Sequence, residues 1–266
     1  MAAYYGFFRW KGYGKPQVNG QFVGFENYRI ILTDPNFQEA LGHTLFVVVA
    51  SLVIQGPLAI LFALLLNQKF KGRALIRTLI FVPYVVSEVI VGTGWSLMLQ
   101  PTGAVNAVLA KFGISGADWI ADPKIAIWTL MFIISWKYIG FAMIAGMQSI
   151  PEDLYEAAKV DGAGFWRQQW SITLPLLGPT IRMWAFMSII GSLQLFDLVY
   201  IIWGQYVSST AGTSTMATYM VREGRLANNY GYGSAVAVVI FVISLVIALT
   251  YQHIVMNRDL DGALTD

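Results

Sequence analysis

Long apolar runs alternate with shorter polar segments along most of this chain. Crossing about 30 Å of hydrocarbon takes about 20 helical residues, and five of the runs reach that length. They lie near residues 44–67, 78–100, 124–149, 180–204 and 233–255. The pattern predicts an all-α polytopic membrane protein with five transmembrane helices. Its transmembrane domain, 44–255, follows an external N-terminal segment, 1–43, and precedes a C-terminal tail, 256–266.

The polar segment 150–179, between the third and fourth runs, has the sequence features of a short capped helix. Ser149 and Glu152 have the spacing of a capping box, and Pro151 stands where a missing N–H costs nothing. Gly162 and Gly164 can provide a left-handed stop at the other end. The segment therefore predicts a helix of about three turns in a polar loop.

One face of that helix is suited to contact with another protein. Leu154, Ala157, Ala158 and Asp161 fall on this face by helical spacing, and the alanines leave a surface that another backbone can approach closely. An alternative interpretation is an interfacial helix, with the aromatic residues of segment 165–170 at the lipid headgroups.

Composition supports the membrane class and excludes several kinds of chemistry. Hydrophobic residues make up 56% of the chain, charged residues 12%, and the mean hydropathy is +0.59. With no cysteine and only two histidines, the sequence offers no disulfide framework and no thiolate or histidine-rich metal site. The net charge of +2 does not indicate a nucleic-acid partner.

The distribution of lysine and arginine gives the expected orientation. The two sides carry equal numbers of these residues, but four of them crowd into segment 69–77. Cytoplasmic loops are enriched in such residues, so this loop, the polar segment 150–179 and the C-terminus are expected in the cytoplasm.

Charged residues within the apolar runs are costly and need partners. Glu88 and Lys137 are expected to form a structural ion pair between neighbouring helices. Arg182 is expected near the cytoplasmic interface, where its head group can reach water. A proton relay would need more titratable partners than the sequence offers.

A second polar group is a candidate for the solute pathway. Gln194, Phe196, Asp197 and Tyr200 combine hydrogen-bonding and aromatic side chains on the fourth span, and Tyr84 and Trp136 can add aromatic walls. The alternative is that the polar groups bond helix to helix and the aromatic ones form interfacial belts.

Several motifs together resemble a known family. Glu156-Ala157-Ala158-x-x-Asp161-Gly162-Ala163, followed by Phe165-Trp166 and Ile172-x-Leu174-Pro175, resembles the cytoplasmic loop of permease subunits of binding-protein-dependent ABC importers. The Asp-Gly-Ala form is most similar to the carbohydrate branch, the maltose and multiple-sugar permeases. Further matching segments cover nearly the whole chain, among them Phe22 to Tyr28, Asp34-Pro35, Phe81-x-Pro83, Trp136-Lys137 and Phe196-Asp197.

The resemblance implies a type I ABC importer permease fold in the prokaryotic plasma (inner) membrane, with sugar as the solute. Such a chain forms half of the pathway beside a second homologous permease, above two ATPase subunits and below an extracellular or periplasmic solute-binding protein. The polar loop then carries a coupling helix that contacts the ATPase. The coupling residues implied are Glu156, Ala157, Ala158, Asp161, Gly162, Ala163, Leu174 and Pro175.

The chain itself has no sequence for ATP chemistry. No Gly-x-x-x-x-Gly-Lys-Ser/Thr occurs, so ATP and Mg²⁺ are expected on the partner ATPase, and no cofactor or catalytic residue is expected here. No metalloprotease or serine-hydrolase motif is visible either.

Two points remain open at this stage. The family's usual first span is expected to be absent, because the chain begins almost at the aromatic segment that normally follows it. The alternatives are an importer of another small polar solute, such as an amino acid or polyol phosphate, and an ion-coupled secondary carrier. A carrier would need repeats with matching broken helices, and none is visible.

Overall fold

The computed structural model describes residues 1–67, 70–145 and 151–256, and these residues are predominantly helical. The helices are α1 (Ala2–Tyr5), α2 (Pro16–Asn19), α3 (Glu26–Thr33), α4 (Pro35–Ala50), α5 (Gly56–Leu66), α6 (Arg73–Val85), α7 (Glu88–Met98), α8 (Ala104–Lys111), α9 (Ala126–Ala145), α10 (Glu152–Val160), α11 (Phe165–Gln168), α12 (Leu174–Leu176), α13 (Gly178–Leu193), α14 (Asp197–Thr210), α15 (Met216–Val221) and α16 (Tyr230–Tyr251). Two strands, β1 (Phe8–Arg9) and β2 (Gln21–Phe22), pair antiparallel. Turns of π-helix occur at Ser51–Gln55, Gln169–Thr173, Arg222–Leu226 and Gln252–Met256.

Five candidate membrane spans agree with the sequence pattern, with two corrections. Four are the segments Pro35–Leu66, Ala126–Met143, Gly178–Gly204 and Tyr230–Val255, and the fifth is a bent pair, Arg73–Val85 with Glu88–Met98. The first therefore starts at Pro35 rather than near residue 44. The Asp34 side chain accepts from the Asn36 N–H at 2.8 Å, which caps the helix before its apolar part begins. The second span breaks where Ser87 becomes the N-cap of α7.

The helical part of the chain divides into two compact units. The first comprises Met1–Val49, Val86–Ile134 and Ile190–Ile247, and the second comprises Ala50–Val85, Ser135–Ile189 and the chain from Ala248. The predicted cytoplasmic C-terminal tail, 256–266, lies outside the described residues except for its first position.

In the first unit, the N-terminal segment is a small aromatic fold tied to the start of α16. The buried Asn27 side chain donates to the carbonyls of Gly6 (2.8 Å) and Phe8 (3.1 Å), which holds β1 beside α3. The Gly231 N–H donates to the Trp10 carbonyl at 3.0 Å. A side chain at Gly231 would collide with the Phe8 carbonyl, so glycine is required at this close approach.

A buried phenol connects three elements of the first unit. Tyr219 on α15 is 1% exposed, and its hydroxyl donates to Asp34 Oδ2 at 2.6 Å and lies 2.8 Å from the Tyr232 hydroxyl of α16. Its ring meets that of Phe37 edge-on. The N-terminus of α4 is thereby joined to both α15 and α16.

Two further contacts fix the first unit. Gly92 of α7 faces Ile201 of α14 so closely that an added Cβ would lie 2.7 Å from the Ile201 side chain. The turn-rich segment 101–123 is organised by Asn106, which donates to the Ala117 carbonyl at 2.9 Å and accepts from Trp119 Nε1 at 2.8 Å.

The second unit packs α5 and α6 against α9 and α13. Ala59, Ala142 and Trp184 form one buried cluster, and Ala63, Leu66 and Met143 form another. Small residues permit the crossings: a Cβ at Gly140 would lie 2.8 Å from Phe81 Cα. Arg77 Nη2 donates to the Leu66 carbonyl at 2.7 Å and so satisfies a carbonyl at the end of α5.

Lys137 is 3% exposed and donates to the Pro83 carbonyl, 3.4 Å away in the last turn of α6. A cation at a helix C-terminus is favourable, because the final carbonyls have no partner within the helix. Glu88 belongs to the first unit and starts α7. The Glu88–Lys137 ion pair stays a prediction.

Replacing Tyr219 by phenylalanine removes the hydroxyl between Asp34 and Tyr232. Because the half-buried Asp34 carboxylate then loses a charge-assisted hydrogen bond, we expect Tyr219→Phe to destabilise the protein by about 2 kcal/mol. Thermal unfolding of the purified chain in detergent measures this. Tyr13→Phe, at a position 75% exposed, is the matched control and should leave the Tm unchanged. Equal Tm values for the two variants would contradict the stabilising role.

Acid should weaken the hydrogen bond between Tyr219 and Asp34. Burial by itself raises the pKa of Asp34, but hydrogen bonds from Tyr219, Asn36 and the Phe37 N–H outweigh burial and hold that pKa below its ordinary value. The stabilisation is therefore present above the unfolded pKa of about 3.9 and is lost as pH falls through the folded pKa.

We expect Asp34→Asn to reduce the loss of Tm on acidification from about pH 6 to about pH 3, the range around that pKa. Asp153→Asn, at an exposed position of α10, is the control and should retain the wild-type pH dependence. An unchanged acid profile in Asp34→Asn would show that another group is responsible.

Candidate functional site

The polar loop forms the predicted helix, α10, with a different N-terminus. Pro151 is the N-cap, and its backbone (φ −53°, ψ 130°) is not helical, so the helix starts at Glu152. No side chain caps this end. The capping box predicted for Ser149 and Glu152 is therefore wrong in placing the N-cap two residues earlier; Ser149 itself lies outside the described residues.

The other end of α10 is closed as the sequence predicts. Asp161 is the C-cap, and Gly162 adopts φ +76°, in the left-handed region. The Gly162 N–H donates to the Lys159 carbonyl at 3.0 Å and the Ala163 N–H to the Ala158 carbonyl at 2.8 Å, the two bonds of a Schellman motif. The Ala163 carbonyl in turn accepts from the buried Gln168 side chain at 2.7 Å. The helix end is thereby anchored to α11.

A side-chain hydrogen bond from Tyr155 fixes one face of α10 against the rest of the second unit. The Tyr155 hydroxyl lies 2.8 Å from Thr173 Oγ1, and Thr173 is 2% exposed. Ala158, one turn further on, is half-buried on the same side. Leu154, Glu156, Ala157, Val160 and Asp161 are exposed. Of the predicted contact face, Leu154, Ala157 and Asp161 are thus exposed, whereas Ala158 turns partly inward; the contact itself stays a prediction.

The segment after α10 continues as a chain of short helical turns. Leu174 and Pro175 begin α12, directly after the π-helical turn that contains Thr173, and Leu174 is half-buried while Pro175 is exposed. Trp166 and Trp170 are 58% and 69% exposed. All residues predicted for coupling therefore belong to the second unit and lie along one continuous stretch.

The residues predicted for the solute pathway lie at a break in the fourth span. Helix α13 ends at Leu193 and α14 begins at Asp197, so Gln194 to Phe196 are not helical. Gln194, Asp197 and Tyr200 are exposed, and the rings of Phe196 and Tyr200 stack at 5.0 Å. The break thus brings amide, carboxylate and aromatic groups to one accessible position in the first unit.

Tyr84 and Trp136 belong to the second unit. The Tyr84 ring stacks on Phe141 at 4.9 Å and meets Tyr138 edge-on, and Trp136 is 39% exposed. Tyr84 is therefore part of an aromatic cluster on α6 and α9.

A threonine that sequence reasoning missed stabilises the break. Thr215 is 1% exposed, and its hydroxyl donates to the Leu195 carbonyl at 2.7 Å. Thr215 and Thr218 also form a capping box at the start of α15, and Thr44 accepts from the Met216 N–H at 3.1 Å. The available signal was the Thr-x-x-Thr spacing before a short apolar run, in a segment assigned only as a polar loop.

The described residues contain no group of three or more His, Asp or Glu side chains arranged to hold a metal ion. The features present are instead an exposed, anchored helix and a polar break within a membrane span.

Comparison with known proteins agrees with this geometry. A permease of the trehalose/maltose transport system, MalF of Thermococcus litoralis, is 32% identical over 88% of this chain and 79% of its own. The arabinooligosaccharide permease AraP of Bacillus subtilis is 32% identical over 86% of this chain and 74% of its own.

A chain in the crystal structure of a bacterial alginate ABC transporter, in complex with an alginate pentasaccharide-bound periplasmic protein, superposes with a TM-score of 0.81. It is 29% identical and the match covers 89% of this chain and 83% of that one. Residues 55–258 also match the model of the binding-protein-dependent transport system inner membrane component. With its membrane spans and these relatives, the chain belongs to that family of transport permeases.

Proposed function

We propose that this chain is the transmembrane subunit of an ATP-driven sugar importer. It forms half of the translocation pathway and receives force from a separate ATPase through α10. The single observation that carries the coupling role is the exposed face of α10, which is held rigid at its end and presents Leu154, Ala157 and Val160 to solvent. The sugar class rests on the relatives, whose names specify trehalose or maltose, arabinooligosaccharides and alginate.

Helix α10 combines an exposed face with a stiff end, which are the two properties that coupling requires. A helix that transmits motion must not fray where it is pushed. The Schellman bonds close the end of α10, while Tyr155 ties its middle to Thr173 and thus to the turn before α12 and α13. Displacement of the exposed face would therefore be passed to a membrane span rather than absorbed by a loose loop.

The proposed complex contains a second homologous permease, two ATPase subunits and an extracellular or periplasmic solute-binding protein. The ATPase subunits bind ATP and Mg²⁺. In this arrangement α10 and the C-terminus are cytoplasmic, and the N-terminal segment is external, in accord with the basic residues crowded into 69–77.

The break at Gln194 to Phe196 is the proposed point of solute contact in the first unit. Interrupted helices expose backbone groups and helix ends, and in transporters these line the binding site. Asp197 and Gln194 supply hydrogen-bonding groups for hydroxyls, and the stacked Phe196 and Tyr200 rings supply an apolar face.

A matched pair of glycine variants tests the coupling role. Gly162 (φ +76°) and Gly164 (φ −67°) both have open space at the Cβ position, so valine at each differs mainly in backbone strain. We expect Gly162→Val to cost about 1–2 kcal/mol at the helix end and to reduce sugar uptake several-fold. Gly164→Val should transport as the wild type does. Radiolabelled uptake in cells, with membrane levels of each variant, measures both, and wild-type uptake by Gly162→Val would contradict the proposal.

The solute contact is tested at Asp197. Loss of one hydrogen bond to the sugar is worth about 1–2 kcal/mol, so Asp197→Ala should lower the sugar affinity of transport about tenfold. ATP hydrolysis by the purified complex, stimulated by sugar-loaded binding protein, provides the readout. Basal hydrolysis and recovery of the complex should not change. Wild-type stimulation of ATP hydrolysis at low sugar concentration in Asp197→Ala would contradict a role of Asp197 in solute binding.

A further inference from the structure

A cavity in the first unit lies apart from the break in the fourth span. It has a volume of about 410 Å³. Its walls come from the N-terminal segment, α3, the α3–α4 junction and the region before and within the first turn of α16. Its lining includes Arg9, Trp10, Asn27, Asp34, Glu223 and Asn229. A volume of this size accommodates a small polar ligand such as a mono- or disaccharide.

Unused hydrogen-bonding capacity faces this cavity. Asn27 is 5% exposed, and both of its N–H groups are used by the Gly6 and Phe8 carbonyls. Its Oδ1 accepts no hydrogen bond from a described residue and is not among the fully buried atoms that lack a partner, so it is accessible to a ligand. Glu223 uses Oε1 to accept from Arg222 Nε at 2.9 Å, so its second oxygen is an additional acceptor.

Two of the charged groups that line the cavity form ion pairs, and the third is held by neutral donors. Arg9 pairs with Glu26 at 3.0 Å, and Glu223 pairs with Arg222 at 2.9 Å. The Asp34 carboxylate accepts from Tyr219 and from the Asn36 N–H. The two ion pairs leave the negative charge of Asp34 over, which disfavours an anion, and the cavity therefore favours a neutral polar ligand over an anionic one.

An aromatic side chain completes the chemistry of the cavity. Trp10 is fixed by a hydrogen bond from Nε1 to the Tyr13 carbonyl at 3.0 Å, and its ring packs against Tyr5 at 5.1 Å. A fixed indole offers an apolar surface to the C–H groups of a sugar ring, while amides and carboxylates take its hydroxyls. Asn229 lies exposed at the cavity wall and is not needed for this chemistry.

We propose that this cavity is a second binding site, specific for a neutral hydroxyl-rich solute such as a sugar. It lies where two spans begin, at Pro35 and Tyr230, which is the external side in the proposed orientation. Its role is to hold the solute before it reaches the break in the fourth span. The site rests on the proposed importer function for its sugar class, whereas its geometry is independent of the Asp197 region.

A single introduced thiol tests the site, because the chain has no cysteine of its own. Asn229→Cys places the thiol at the cavity wall, and Ala227→Cys, exposed nearby but not part of the lining, is the matched control. Each full-length variant is reconstituted in lipid nanodiscs without a binding protein. The rate of reaction with a charged maleimide is then measured with maltose, with glucose 6-phosphate and without sugar.

Maltose at about ten times its Kd should slow the reaction of Asn229→Cys about tenfold, because occupied cavities protect the thiol. It should leave Ala227→Cys unaffected, and glucose 6-phosphate should protect less than maltose. Three results would overturn the site: no protection of Asn229→Cys at any maltose concentration, equal protection of both thiols, or stronger protection by the phosphate.

The failure of this site and of the importer function can be told apart. If sugar-stimulated ATP hydrolysis depends on Asp197 but the thiol is not protected, the importer function is supported and the cavity site is contradicted. Protection of Asn229→Cys in a complex that transports no sugar would keep the site and overturn the proposed function.

Discussion

Satisfaction of backbone hydrogen bonds inside the membrane is the constraint on which this structure depends. Hydrocarbon offers no partner to a free N–H or carbonyl, so the chain crosses it as helices. Where a helix ends or breaks, a side chain takes over. Thr215 donates to the Leu195 carbonyl at the break in the fourth span, and within the second unit Arg77 and Lys137 donate to carbonyls at the ends of α5 and α6. At these three positions a side chain thus satisfies a backbone carbonyl at a helix end or break.

The same constraint explains why the break in the fourth span and helix α10, the two proposed functional elements, are stabilised in different ways. The break at Gln194 to Phe196 needs Thr215, because an unpaired carbonyl there would be costly. Helix α10 lies in a polar loop, where its N-terminal N–H groups can bond to water, and no side-chain cap is found at that end. Its C-terminus is closed by backbone bonds that need only the left-handed geometry of Gly162. The break in the fourth span is thus stabilised by a tertiary hydrogen bond, whereas the C-terminus of α10 is closed by local backbone bonds.

The part of the first unit next to the N-terminal segment shows how a small polar network organises a large apolar protein. Tyr219, Asp34 and Tyr232 join the beginnings of two spans, and the N-terminal segment packs beside them through Asn27 and Gly231. This arrangement leaves the cavity lined by Trp10, Asn27 and Glu223. The polar groups that hold the spans together are therefore next to groups that still have bonds to make.

The sequence by itself determined the number of spans, the family resemblance and the helix in the polar loop with its stop at Gly162. These features depend on local composition and spacing, since apolar length sets a span and a glycine sets a left-handed cap. The tertiary structure alone decided where the first span begins, that the second and fourth spans are broken, and that Ala158 turns inward beside Tyr155. It also decided that Thr215 meets Leu195 and that Tyr219 meets Asp34, residues separated by 20 and 185 positions. Such partners are chosen by packing between distant segments, and no local pattern encodes that choice.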